Sequence, residues 1–90
     1  MADSHSRLDG NAVAGMLGEI FVQDMTTASI KCGGCGQVEP LGAEHVYMRA
    51  PGAVVRCCHC QQVLMSIIER EDAFVLGFQA TSWVEIARGE

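Results

Sequence analysis

At 90 residues, 49% apolar and 19% charged, the chain has the composition of one small globular domain, not of a disordered or collagen-like segment. A chain of this length buries only about 60–65% of the surface its unfolded form exposes, so its core alone gives marginal stability. A formal charge of −5 argues against attachment to nucleic acid or an anionic membrane by bulk charge, and no uncharged apolar run approaches the roughly 20 residues of a membrane span.

The first ten residues, MADSHSRLDG, carry more acid than base and no apolar h-region, so no signal peptide is expected, and residues 1–7 are expected to fray. The expected compartment is therefore the reducing cytoplasm, where cysteines bind metal or do redox work more often than they form disulfides. Charge is uneven: −3 over residues 1–24, +1 over 25–68 and −3 over 69–90, and the middle segment holds every cysteine.

Residues 8–24 read as a helix. Ala12, Val13, Met16, Leu17, Ile20 and Phe21 recur at spacings of three and four, which places them on one face. Asp9 suits the N-cap, and Leu8 with Val13 has the spacing of a hydrophobic staple. Gly15 and Gly18 each lower helix propensity by up to about 1 kcal/mol, so this helix depends on docking, with its apolar stripe turned to the core rather than to a partner.

After Thr26 the period shortens. Segments 28–32, 44–49, 53–57, 63–70 and 73–78 read as strands. Ala50-Pro51-Gly52-Ala53 suits a type II turn, with Pro51 presetting φ and Gly52 taking a positive φ, and Glu71-Asp72 suits a second tight turn. Trp83, Val84 and Ile86 read as a last strand, although Ser82 with Glu85 has the capping-box spacing of a short helix. The run at 63–68 is apolar on both alternating faces. A helix covers one of them, and the other calls for Phe74, Trp83 or a partner chain.

Cys32-Gly33-Gly34-Cys35 and Cys57-Cys58-His59-Cys60 are two C-x-x-C pairs separated by 21 residues, room for one hairpin turning at Pro51-Gly52. Two residues between cysteines let a tight turn aim both sulfurs at one ion, and two such turns supply four thiolates in the tetrahedron of a structural Zn²⁺. The expected metal ligands are thus Cys32, Cys35, Cys57 and Cys60, holding one structural zinc, with Cys58 left as a free thiol. His59 in place of a cysteine is the alternative ligand set. Gly36 frees the first turn to adopt a positive φ, whereas Gln61 stands at the matching place in the second. Iron on the same thiolates is a competing reading, because CGGCG resembles one rubredoxin knuckle and tetrahedral sulfur suits both metals. Four thiolates and one zinc take the chain to about −7, which Lys31 and Arg56, each preceding a ligand pair, are placed to offset.

The stretches LDGNAVAGMLGEIF at 8–21, KCGGCG at 31–36 and VYMRAPGAVVRCCHCQQVLM at 46–65 resemble a small bacterial zinc-ribbon family of unknown function. The resemblance implies an N-terminal helix followed by a ribbon, with cysteines 32, 35, 57 and 60 as ligands and no catalytic residues. Cys58 departs from it, since a non-cysteine residue is expected there. The fold expected is a small metal-stabilised α+β domain, residues 1–90. An N-terminal helix (8–24) packs on an antiparallel β zinc ribbon (28–70), which residues 73–88 extend by strands. The function expected is non-enzymatic: the metal supports a surface that binds another protein or a second copy of the chain. Glu44/His45 and Cys58/His59 are adjacent polar pairs, yet neither has a third catalytic partner in the sequence. Nucleic-acid or ribosome binding through Lys31, His45, Arg49 and Arg56 is the alternative, set against the acidic balance, and an iron electron carrier is another.

Overall fold

Alternating apolar residues produce sheet along most of the chain after Thr27, and the knuckles fall where those strands turn. The computed structural model describes residues 8–88; the fraying expected of residues 1–7 lies outside the described residues. In chain order the strands are β1 (Leu8–Asp9), β2 (Ser29–Cys32), β3 (Val38–Pro40), β4 (His45–Arg49), β5 (Gly52–Arg56), β6 (Val63–Glu69), β7 (Phe74–Phe78) and β8 (Thr81–Glu85). One short helix, α1 (Ala14–Ile20), lies between β1 and β2. The strands form two antiparallel sheets, a five-stranded one in the order β1-β4-β5-β6-β7 and a three-stranded one in the order β3-β2-β8. The protein is thus a small α+β fold. Among the described residues no helix is long and apolar enough to cross a membrane.

The long N-terminal helix expected over 8–24 is corrected to the seven residues of α1. Leu8 and Asp9 instead pair with Val46 and His45, adding an edge strand to the larger sheet. Asp9 does cap, accepting the Asn11 N–H at 3.1 Å, but what it caps is a 3-10 turn over Gly10–Val13. Gly10 lies so close to the Leu41 carbonyl that no Cβ fits, which ties this turn to the Leu41–Ala43 segment. The staple does not form its expected role either: Leu8 is in a strand and exposed. The helical stripe faces the core except at Ala12, which is exposed: Val13 and Leu17 are buried, and Met16, Ile20 and Phe21 pack at its margin. The helix stops at Phe21, whose backbone is extended. Asp24 then caps the Met25–Thr27 turn, accepting from Thr26 N at 3.1 Å and Thr26 Oγ1 at 2.7 Å.

The hairpin at Pro51 is present with a different turn. The Ala50–Pro51 bond is cis and Gly52 opens β5 opposite Arg49, so the type II turn with a positive φ at Gly52 is corrected. Glycine is required there for a different reason, because a Cβ would overlap the Ile67 carbonyl of β6. The Glu71-Asp72 turn joins β6 to β7, with Arg70 N donating to Ala73 O at 2.7 Å. The tail is strand, β8, paired with β2.

Register explains how β6 disposes of two apolar faces. Val46, Val55 and Met65 lie opposite one another on one face of the larger sheet, as do Ala53 and Ile67. All five are buried. The pairing passes from Val55–Met65 to Arg56–Val63, leaving Leu64 as the extra residue of a bulge, which allows Leu64 and Met65 both to be buried although they are adjacent. On the opposite face Ile68 and Val75 form a cross-strand apolar pair that remains exposed. Trp83 does not cover it, since that residue sits opposite Lys31 in the smaller sheet. The core cluster runs from α1 through both sheets and includes Cys32 and Cys57.

Candidate metal centre

Each knuckle is built by its own backbone. At the first, Gly36 N donates to Cys32 O at 2.8 Å, Cys32 N donates to Gln37 O at 3.0 Å, and Gly34 N points at Cys32 Sγ at 3.3 Å. The second repeats the pattern: Gln61 N to Cys57 O at 2.9 Å, Cys57 N to Gln62 O at 2.9 Å, and His59 N to Cys57 Sγ at 3.4 Å. The turn needs a left-handed residue at its fifth position, supplied by Gly36 at φ 81° and by Gln61 at φ 70°. A non-glycine residue there costs on the order of 1 kcal/mol or more. Gln61 is correspondingly held from β4 and β5. Its Nε2 donates to His45 Nδ1 at 2.6 Å, its carbonyl accepts Arg56 Nη1 at 2.8 Å, and Arg56 itself lies 5.8 Å over the Tyr47 ring. Arg56 therefore secures the second knuckle; Lys31 is in β2 of the smaller sheet.

The first knuckle joins β2 to β3 and the second joins β5 to β6, so the two turns belong to different sheets. They meet face to face. Cys32, Cys35, Cys57 and Cys60 have their sulfurs within 4.8 Å of one another. Across the two turns, Cys32 Sγ is 3.6 Å from Cys60 Sγ and Cys35 Sγ is 3.6 Å from Cys57 Sγ. Four sulfurs around a zinc at about 2.3 Å define a tetrahedron whose edge is about 3.8 Å. The observed separations match that edge and are far too long for a disulfide, and all five cysteines are free. The cluster thus fits a tetrahedral metal, with Cys32 and Cys57 buried and Cys35 and Cys60 exposed.

Protonation follows from this crowding. At Cys32 burial pushes the thiol up, but the amides of Cys35 and Gly34 and the neighbouring thiols outweigh it, bringing the value down from 9.0 to about 7. At Cys35 the Gln37 amide favours the thiolate, yet burial and the sulfurs of Cys57, Cys60 and Cys32 prevail and push it up to about 12. Cys60 is likewise raised, by burial and the sulfurs of Cys32 and Cys57 against the Gln62 amide. Of these three thiols Cys32 gives up its proton most readily, and ionising Cys35 or Cys60 beside it sets like charges against one another. A divalent cation at the centre removes that repulsion.

The remaining candidates separate. Cys58 lies outside the four-sulfur cluster, and burial together with the Glu44 and Glu39 carboxylates pushes its thiol up to about 11. Glu44, only 1% exposed, accepts the Cys58 N–H at 2.9 Å. His45 is turned to Gln61. The adjacent pair Glu44/His45 therefore splits, Glu44 to the Cys58 amide and His45 to the Gln61 side chain. Sequence reasoning named Glu44 and Gln61 without the contacts they make, and it missed Glu39, whose Oε2 lies 2.6 Å from His59 Nε2. The signal for Glu44 was weak, a lone acid ahead of a strand; Glu39 sits in β3, a three-residue strand ending in proline that periodicity does not register.

The chain belongs to a family of unknown function (DUF6510), whose model matches residues 2–89. No curated protein and no solved structure matches it. The unknown-function part of the resemblance drawn from LDGNA and the two C-x-x-C stretches agrees with that membership.

Proposed function

We propose that the chain is a non-enzymatic zinc-ribbon protein of the reducing cytoplasm. One structural Zn²⁺, held by Cys32, Cys35, Cys57 and Cys60, locks its two sheets so that the remaining surface serves protein interaction or regulation. The observation that carries this reading is the pair of 3.6 Å sulfur separations between knuckles, which fits a tetrahedral centre. Four protein ligands close the coordination sphere and leave no position for a substrate or water, which is the arrangement of structural rather than catalytic zinc. The closing of the sphere and the divergence of Glu44 from His45 support a role other than catalysis. The exposed Ile68–Val75 pair lies beside β7, an edge of the larger sheet, and a second copy of the chain is the first partner to test there.

Metal analysis with native mass spectrometry tests the centre. A tightly held zinc is expected in the wild type, lost in C32S, C35S, C57S and C60S and kept in C58S. Metal kept in C57S and lost in C58S overturns the ligand set, and a red iron-loaded protein moves the reading to an electron carrier. Light scattering that gives a monomer mass at high micromolar concentration removes the homodimer.

A second reading has one observation in its favour. His45, Tyr47 and Arg49 alternate along β4, and Arg56 lies beside them opposite His45 in β5. A depression of about 540 Å³ is lined by Tyr47, Arg49, Val54, Arg56 and Gln61. An aromatic ring among arginines suits single-stranded nucleic acid, although Lys31, grouped with them by sequence, lies in the other sheet. Binding of an RNA or DNA oligonucleotide that weakens steeply with salt supports it, and no binding at low salt removes it.

A further inference from the structure

The two residues between the second pair of cysteines have no task in the four-sulfur centre, yet they do not simply face solvent. Cys58 and His59 converge with Glu39 of β3, and one ligand atom from each lies within 4.8 Å of the others. We propose that Glu39, Cys58 and His59 form a second metal site, open and exchangeable, that takes Zn²⁺ on the outer side of the second knuckle.

The donor set is the first argument. A carboxylate, a thiolate and an imidazole are each good zinc ligands, and three protein ligands leave the fourth position to water. Geometry is the second. Glu39 Oε2 and His59 Nε2 are 2.6 Å apart as a hydrogen-bonded pair, with side chains 30% and 41% exposed. Zinc bonds of about 2.0–2.1 Å in a tetrahedron separate two such ligands by about 3.3 Å. A displacement of roughly 0.7 Å, within a small rotation of two partly exposed side chains, admits the ion. The third argument is electrostatic. Glu39 reaches the Cys58 side chain and Glu44 its amide, and among the described residues neither carboxylate pairs with a lysine or arginine. An ion there meets carboxylates that no lysine or arginine pairs with among the described residues, and on binding Cys58 releases its proton to solvent. Placement is secured from behind, because buried Glu44 accepts the Cys58 N–H and so fixes the knuckle peptide that carries both ligands. The open position and partly exposed ligands make this the weaker and faster-exchanging of two sites, suited to sensing or handing on zinc rather than to holding the fold.

The inference rests on the four-cysteine reading only in treating the first equivalent of metal as already placed, and the two fail separately. Full-length protein carrying one zinc is titrated with Zn²⁺ alone and followed by native mass spectrometry and by competition with a chromogenic chelator of moderate affinity. The wild type is expected to take up a second equivalent, which the chelator strips while the first remains. C58A and H59A are expected to stop at one equivalent with unchanged circular dichroism, since neither residue is in the core. In Co²⁺-loaded protein the second equivalent is expected to add a charge-transfer band of one thiolate, absent in C58A. A wild type that stops at one equivalent overturns the second site, as does a second equivalent kept by both C58A and H59A, which marks an ion held elsewhere. Failure of the four-cysteine reading shows differently, as a first equivalent retained in C60S.

Discussion

In the proposed four-cysteine centre Cys60→Ser removes one ligand from a metal that joins two sheets, and its effect can be worked from the structure. Cys60 is exposed, so the substitution introduces no buried hydroxyl, whereas Cys57→Ser places one in the core. Once the metal is lost, the tie between Cys35 and Cys57, 22 positions apart, no longer restricts the unfolded chain. Treated as a cross-link of that loop length, the tie is worth about 3 kcal/mol at 25 °C. This is a lower figure, because the metal–thiolate bonds themselves favour the folded state further. For a domain of this size each kcal/mol moves the midpoint by about 4–8 °C, so Tm is expected to fall by roughly 12–25 °C. Thermal unfolding followed by circular dichroism on zinc-loaded wild type, chelated wild type, C60S and C58S measures it, with metal content determined on each sample. C58S is expected to melt with the wild type. A metal-free C60S that melts within about 3 °C of the zinc-loaded wild type refutes the view that the centre staples the sheets.

Gly52→Ala drives a methyl group into the Ile67 carbonyl and is expected to cost at least 1–3 kcal/mol in a urea titration, whereas Gly15→Ala, with open space around it in α1, is expected to stabilise by up to about 1 kcal/mol. Cys58 has a raised thiol, at about 11 against 9.0, so its share of stability is present below pH 9 and lost as pH rises toward 11. Protein carrying only the first zinc should then alkylate at Cys58 about 10-fold more slowly at pH 8 than an unperturbed thiol, the smaller thiolate fraction being partly offset by the greater nucleophilicity of a more basic thiolate, and mass spectrometry of iodoacetamide-treated samples reads the rate. The Thr26 hydroxyl and amide hold the Asp24 carboxyl below its ordinary 3.8. The cap therefore contributes above that pH and is lost as pH falls through the lowered value, which a carboxyl titration by NMR should show as a midpoint under 3.8.

The centre was legible because its information is local. A C-x-x-C turn is closed by hydrogen bonds among six residues, and the spacing of Cys32, Cys35, Cys57 and Cys60 carries it whatever else the chain does. The same holds for the cap at Asp9 and for five of the strands, whose alternation needs only their own side chains. Periodicity names a face but not the neighbour that covers it. Leu8 and Asp9 carried a helix-start pattern, and the free edge of β4 took them as a strand instead. The two apolar faces of β6 asked for a covering partner, and a bulge at Leu64 met part of that demand within the sheet. Bringing Glu39 to Cys58 and His59 likewise required two sheets to fold against each other, whereas Glu44 reaches the Cys58 amide through the β4–β5 pairing. The sequence by itself determined the four cysteines that cluster and most of the strands, because those depend on short-range geometry. Only the tertiary structure decided what the helix gave up to the sheet, how the knuckles cross-link two layers, and which carboxylates surround the spare thiol, because each depends on pairings between residues far apart in the chain.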